Sequence, residues 1–240
     1  MMRTQHAIAA FLLVLLALGC GHAFALGRAE GAAARVRPQL ERDLAEKDLR
    51  FGAPILLRLF KLERELEVWV QGDDARFARF RTYPICTFSG RLGPKQKVGD
   101  LQAPEGFYTV ARGQLNPASS YHLSFNLGYP NAFDRAHGRT GSLLMVHGNC
   151  VSIGCYAMGD DAIEEIYTLL DAALSQGQPA AQVHAFPFRF DRTDVETRLA
   201  EPLWGAFWRD LRNGWDAFEQ TRRAPDIKVR DKRYVVKATP

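Results

Sequence analysis

The chain has 240 residues, 47% hydrophobic and 24% charged, with a net charge of +4 at neutral pH. This is ordinary globular composition, enough for one sizeable core, or one core with a small extension. It holds only four cysteines, and three follow the N-terminal leader, an odd number that argues against a fold built purely on disulfides.

The first residues read as an export signal. Arg3 supplies a short basic start, and the apolar run "AIAAFLLVLLALG" (Ala7 to Gly19) is too short to cross a bilayer comfortably. "AFA" at Ala23–Ala25 is a small-x-small cleavage site, so residues 1–25 are assigned as a signal peptide and left out of the fold. The alternatives are an uncleaved anchor or a lipoprotein signal through Cys20. Against the second, Ala17 stands where such signals usually carry leucine. The mature chain carries no further stretch that would span a membrane and is mildly basic. Nucleic acid is not an expected partner outside the cytoplasm. Basic residues from Arg222 to Lys237 read as a solvated tail, or as an attraction to an anionic cell-wall polymer.

Residues 26–50 read as an alanine-rich linker (Ala29–Ala34), then a short helix from Pro38 to Arg50 with Leu40 and Leu44 on one side. "ILLRLF" and "ELEVWV" between Ile55 and Val70 run apolar or alternate around "KLER", which predicts a β-hairpin. "FARFRTYPICTFSG" continues in strands, with Cys86 read as a small buried hydrophobe. "GFYTVA" is a further strand. "SLLMVH" is a near-continuous apolar strand ending in His147. Turn signals at short spacing favour a β-sandwich or barrel-like sheet over a parallel α/β fold.

A helix follows, with Asp161 and Glu164 in capping-box spacing and Ile163, Ile166, Tyr167, Leu170 and Leu174 as its apolar stripe. "VHAFPFRF" is another strand. Thr193 and Glu196 repeat the capping pattern ahead of Leu203, Trp204, Phe207, Trp208, Leu211, Trp215 and Phe218 at helical spacing. That stripe is read as core packing. "YVVK" near the end predicts an edge strand. The plan is thus strand-rich over residues 51–192, with a helical extension and terminal strand over 193–240.

The chemistry gathers in "MVHGNCVSIGCYAMGDD", Met145 to Asp161. Three readings compete. His147, Cys150 and Cys155 are soft metal ligands, but H-x2-C-x4-C is not a usual zinc spacing, and His122, His137 or His184 would have to complete a site from afar. Cys150 can pair with Cys155 or with Cys86 in a disulfide, and a Cys86–Cys150 bridge leaves Cys155 free. The third reading makes Cys155 a nucleophile, with its thiol pKa lowered, and His147 its base. Here "SIGC" gives close backbone approach at Gly154, whose amides face a developing oxyanion. This last reading accounts for all the residue types together.

The run "LLMVHGNCVSIGCYAM" resembles the L,D-transpeptidase (YkuD-domain) signature: an apolar strand ending in His-Gly, then Ser-x-Gly-Cys. "APEGFYTV", "GRLGPKQKVGD", "YPNAFDRAHGRTG" and "FWRDLRNGWDAFEQTRRAP" extend the resemblance to the YafK-like subgroup, from about Phe51 to the C-terminus. The resemblance implies an α+β, strand-dominated fold: a β-sandwich catalytic core with flanking helices. It also implies a periplasmic cysteine acyl-transferase of cell-wall biogenesis, acting on peptidoglycan stem peptides through a Cys155 thioester. His147 would be the general base, with Gly148 orienting its imidazole and Ser152 and Gly154 lining the oxyanion site. His137, which also precedes a glycine, ranks second as base.

Two positions depart from the family pattern. Ile153 stands where histidine is usual, and Ala157 where an arginine usually helps hold substrate carboxylate. Arg139 is the expected substitute for that arginine. No metal or organic cofactor is required. The alternatives are an amidase freeing an outer-membrane lipoprotein from diaminopimelate, and a non-catalytic cell-wall binding module.

Overall fold

The structure is a computed structural model that describes residues 27–239. The expected signal peptide lies outside the described residues. Helix α1 covers residues 27–45. The alanine-rich segment read as a linker is therefore helical, and the helix is under way before Pro38. Alanine is the best helix former, and Ala32, Leu40 and Leu44 are fully buried against the core.

Strands β1 (Ile55–Phe60) and β2 (Glu65–Gln71) form the expected antiparallel hairpin. With β3 (Phe77–Pro84), β5 (Gly106–Val110) and β10 (Ala181–Phe186) they make a five-stranded sheet in the order β3-β2-β1-β10-β5, where only the β1–β10 pair is parallel. A second five-stranded sheet is built from very short strands. Its members are β4 (Thr87–Phe88), β6 (Leu115–Asn116), β7 (Ser124–Asn126), β8 (Met145–His147) and β9 (Tyr156–Ala157), in the order β4-β9-β8-β7-β6. The apolar strand expected over "SLLMVH" is thus only three residues long. The fold is mixed α+β and strand-rich, as the resemblance implies.

Alternation explains why β1 reads as a continuous apolar run. Ile55, Leu57 and Leu59 face the main core, against Phe125, Val146 and Tyr156 of the second sheet and the buried stripe of α3 (Asp160–Ser175). Phe60 on the opposite face meets α5 (Gly205–Thr221). The α5 aromatics interlock with that face edge-on: Phe60–Trp215 at 5.6 Å and Trp69–Phe218 at 5.0 Å. Gly214 permits this approach, because a Cβ there would lie 2.3 Å from Phe107 Cζ.

Several local expectations are corrected. Neither expected capping box forms. Gly159 precedes α3 without a side-chain cap, and Glu164 instead binds Arg35 and His122. Asp194 precedes α4 (Val195–Leu199), also with no side-chain cap, and Glu196 pairs with Arg212. The terminal strand β12 (Arg233–Lys237) does not extend a core sheet. It pairs with β11 (Asp226–Arg230) in a separate ribbon, which packs on α5 through Tyr234 and the Arg233–Asp210 ion pair. α2 (Ala132–Ala136) is short and properly capped by Asn131.

Candidate active site

The second sheet brings the two key residues onto one face. β8 and β9 run parallel with Val146 opposite Tyr156 and His147 opposite Ala157. Val146 and Tyr156 point into the core and are fully buried. By period-two alternation His147 and Cys155 share the other face. There both line a cavity of about 560 Å³, together with Lys95, Tyr121, Ser142 and Met145 among others. Its rim carries exposed apolar side chains, Val98, Leu101, Leu143 and Ile153. Exposed apolar groups gathered around a cleft mark a place where something binds.

His147 is 2% exposed. Its Nδ1 donates to the Gly148 carbonyl at 2.6 Å. A carbonyl can only accept, so Nδ1 holds the proton and Nε2 is the basic nitrogen. The Tyr121 ring lies 4.8 Å from the imidazole and fixes its plane. Burial lowers the His147 pKa, and the Gly148 bond offsets this only in part. The imidazole is therefore neutral at neutral pH.

Cys155 is half-buried and its sulfur is free. The Met145 amide donates to Sγ at 3.4 Å. Burial pushes the thiol pKa up, and neither the Met145 amide nor the charge of Lys95 cancels it. This corrects the expectation of a thiol with lowered pKa: the resting pair is neutral thiol and neutral imidazole.

The loop before Cys155 is held by directional bonds. Ser152 Oγ donates to the Cys155 carbonyl at 2.7 Å and accepts from the Gly154 amide at 3.2 Å. Ser152 is not on the cavity wall, and the Gly154 amide is committed to it. The pair braces the loop, and Gly154, unlike Ser152, also lines the cavity. Gly154 does sit at φ +144°, a conformation side-chain-bearing residues rarely adopt. Asp160 takes the Asn149 amide at 2.6 Å. Gly148 admits no side chain, because a Cβ would stand 2.6 Å from Asp160 Oδ1 and 2.8 Å from the Tyr121 carbonyl.

Cys86 and Cys150 form a disulfide with a Cα–Cα distance of 5.5 Å. Cys86 is exposed, not the buried hydrophobe expected, because it lies between β3 and β4 where the chain reaches across to the Cys150 loop. With Cys150 bonded to Cys86, the metal reading loses a ligand. Among the described residues, no three His, Cys, Asp or Glu side chains group as metal ligands.

Arg139 does not reach the cavity. Its side chain is buried, donates to Asp134 Oδ1 at 2.8 Å and lies between the rings of Phe133 and Phe207, 5.1 Å from each centroid. The substrate-binding role expected of it is not available there. His137 likewise turns away, with Nδ1 on the Phe133 carbonyl. Ala157 is fully buried beside His147, so the position of the expected arginine has become a packing position.

Two contributors were not singled out from sequence. Lys95 stands on the cavity wall; it lies within "GPKQKVGD", a stretch noted only for its resemblance. Helix α1 tethers the wall segment that carries Tyr121. Arg28 donates to the carbonyls of Ser119 and His122, both at 2.8 Å, while Arg35 and His122 converge on Glu164. No local pattern marks such contacts across the fold.

Residues 61–195 match the YkuD family, the L,D-transpeptidase catalytic domain. The chain is 46% identical over 190 residues to YafK of Escherichia coli (strain K12), a protein that carries an L,D-transpeptidase name, with 79% of this chain and 76% of that one covered. The same figures hold for YafK of Escherichia coli O157:H7. Among solved structures, the helical cell shape determining protein Pgp2 from Campylobacter jejuni aligns at 18% identity and a TM-score of 0.46, covering 80% of each chain. Bd1075 of Bdellovibrio bacteriovorus aligns at 20% identity and a TM-score of 0.41, covering 70% of this chain and 58% of that one. Through the family match over more than half its length and its identity to YafK, the chain belongs to the L,D-transpeptidase (YkuD-domain) family, in the YafK-like subgroup.

Proposed function

We propose that the protein is a periplasmic cysteine acyl-transferase that remodels peptidoglycan. Family membership supports an L,D-transpeptidase-like role in the cell wall, and the signal peptide expected over residues 1–25 supports export. One observation carries the mechanism: Cys155 and the Nε2-basic His147 line one cavity.

Substrate enters with the carbonyl of meso-diaminopimelate against Sγ. His147 Nε2 takes the thiol proton as sulfur adds to the carbonyl, and the oxygen becomes an oxyanion. The intermediate collapses, the C–N bond breaks, and the imidazolium returns its proton to the leaving amine. A Cys155 thioester remains. A second amine resolves it into a crosslink, or water resolves it into a free acid. The neutral resting pair suits this sequence, because the thiol ionises as the base takes its proton and no standing ion pair is required.

The deciding experiment is mass spectrometry of muropeptides after incubation with the protein and with its Cys155→Ala variant. New 3–3 crosslinks that depend on Cys155 support transfer. Release of the amine partner without crosslinks assigns an amidase. Binding without any covalent change in either sample overturns the enzyme reading in favour of a cell-wall binding module.

A further inference from the structure

Lys95 is the one lysine or arginine on the cavity wall among the described residues. It is held there deliberately. Its residue is 5% exposed. Nζ donates to the Lys97 carbonyl at 2.9 Å and to Asp100 Oδ1. An ammonium has three N–H bonds, and the third has no acceptor among the described residues. Gly141, at φ +129°, leaves room for the stem: a Cβ there would lie 2.9 Å from Lys95 Cε. Below the loop, buried Lys61 binds the carbonyls of Arg91, Gly93 and Ala103 and pairs with Glu105 at 3.2 Å, fixing both ends of the segment that presents Lys95.

Asp100 anchors this ammonium as an ion-pair partner. Its carboxylate also accepts the amides of Gln96, Lys97 and Gln102 at 2.7, 3.0 and 3.1 Å. Burial alone would raise its pKa, yet these donors together with Lys95 bring it below the usual carboxylate value. Asp100 is thus a fixed, ionised partner that holds Nζ in place, and one of the three N–H bonds is left for a further acceptor.

We propose that Lys95 binds a carboxylate of the acyl donor and so restricts the site to donors with a free acid on the attacked residue or on the residue that leaves. The inference rests on the acyl-transfer reading and adds its selectivity. A stem peptide offers two such acids: the α-carboxylate of the residue that leaves, and the side-chain carboxylate of diaminopimelate. Both are the same ligand chemistry, and amidating each in turn separates them.

The test uses the full-length mature protein and three synthetic donors: the free acid, the leaving-residue carboxamide and the side-chain carboxamide. The rate of Cys155 acylation is followed by intact mass. The wild type should react about 10- to 100-fold more slowly with one of the two carboxamides, the range expected for loss of a charge-assisted hydrogen bond. That carboxamide identifies the acid. Lys95→Met should slow the free acid by a similar factor, yet match the wild type with that carboxamide within about twofold. Lys95→Arg should recover most of the loss. Alkylation of Cys155 by iodoacetamide reports on the thiol and the fold without a carboxylate, and should change by less than about threefold in Lys95→Met. Equal slowing of all three donors, a matching fall in alkylation, or a wild type indifferent to amidation each overturns the proposal. Absence of any acyl adduct on wild-type Cys155, with alkylation intact, overturns the acyl-transfer reading itself and this selectivity with it.

Discussion

The two flanks of the larger sheet are held by different physics. On one flank, α5 lies on Phe60, Trp69, Phe107 and Phe186, and the contact is a mass of interlocked rings around buried Arg58. The Arg58 guanidinium sits 3.9 Å over Trp215 and bonds Glu219 at 2.6 Å. On the other flank, beyond the main core, the site rests on strands of two and three residues. There the hold comes from Ser152, Asp160, the Gly148 carbonyl and one disulfide. Apolar burial is strong but non-directional. Hydrogen bonds are individually weak but set positions. The molecule uses the first to be stable and the second to aim a sulfur and an imidazole.

That contrast can be broken from either side. The largest effect should come from Cys155→Ala, which removes the attacking atom. The acyl adduct should be absent altogether while Tm stays within about 2 °C, as measured by intact mass and calorimetry. A matched loss of Tm would mean that the site is part of the stabilising core after all. Trp215→Ala should do the reverse. It opens the aromatic layer and costs about 3–5 kcal/mol of stability, read by denaturant unfolding, while kcat/KM measured well below the new Tm stays within about threefold. A large fall in kcat/KM there would couple the two flanks.

Smaller changes sharpen the contrast. Gly154→Ala forces a side chain into φ +144° and should cost about 1–3 kcal/mol, with a fall in acylation larger than the change in Tm accounts for. Ser152→Ala removes the hydroxyl that ties Gly154 to Cys155, and should slow acylation about tenfold, the equivalent of one hydrogen bond; no change would show that the loop is placed by its disulfide instead. The subtlest test is pH. His147 must be neutral to act as base, and its pKa is lowered by burial. Activity should therefore persist below the ordinary imidazole value of about 6.5 and be lost only on further acidification. Alkylation of Cys155 should inflect above the ordinary thiol value, because burial raises that group. An inflection below the ordinary value would mean a standing thiolate–imidazolium pair.

Much of this was legible residue by residue. The β1–β2 hairpin, the apolar stripe of α3 and the aromatic stripe of α5 each announce themselves through local periodicity. His147 and Cys155 announce themselves by residue type and spacing. The errors have a common cause. Arg139 is the expected stand-in for the arginine missing at Ala157, but a buried guanidinium goes where a carboxylate and aromatic faces can compensate it, and Asp134, Phe133 and Phe207 do so. The expected caps failed because Glu164 found stronger partners in Arg35 and His122, far off in the chain.

By itself, the sequence determined which side chains are candidates for chemistry and which faces are apolar, because both are written in short-range pattern. Only the tertiary structure decided that Cys86 takes Cys150, that α1 steadies the wall over His147, that Lys95 and not Arg139 meets the cavity, and that burial makes the thiol harder to ionise. Pairing, desolvation and charge compensation depend on what lies within a few ångströms in space, and residues 64 positions apart, like the two bridged cysteines, leave no local trace of that nearness.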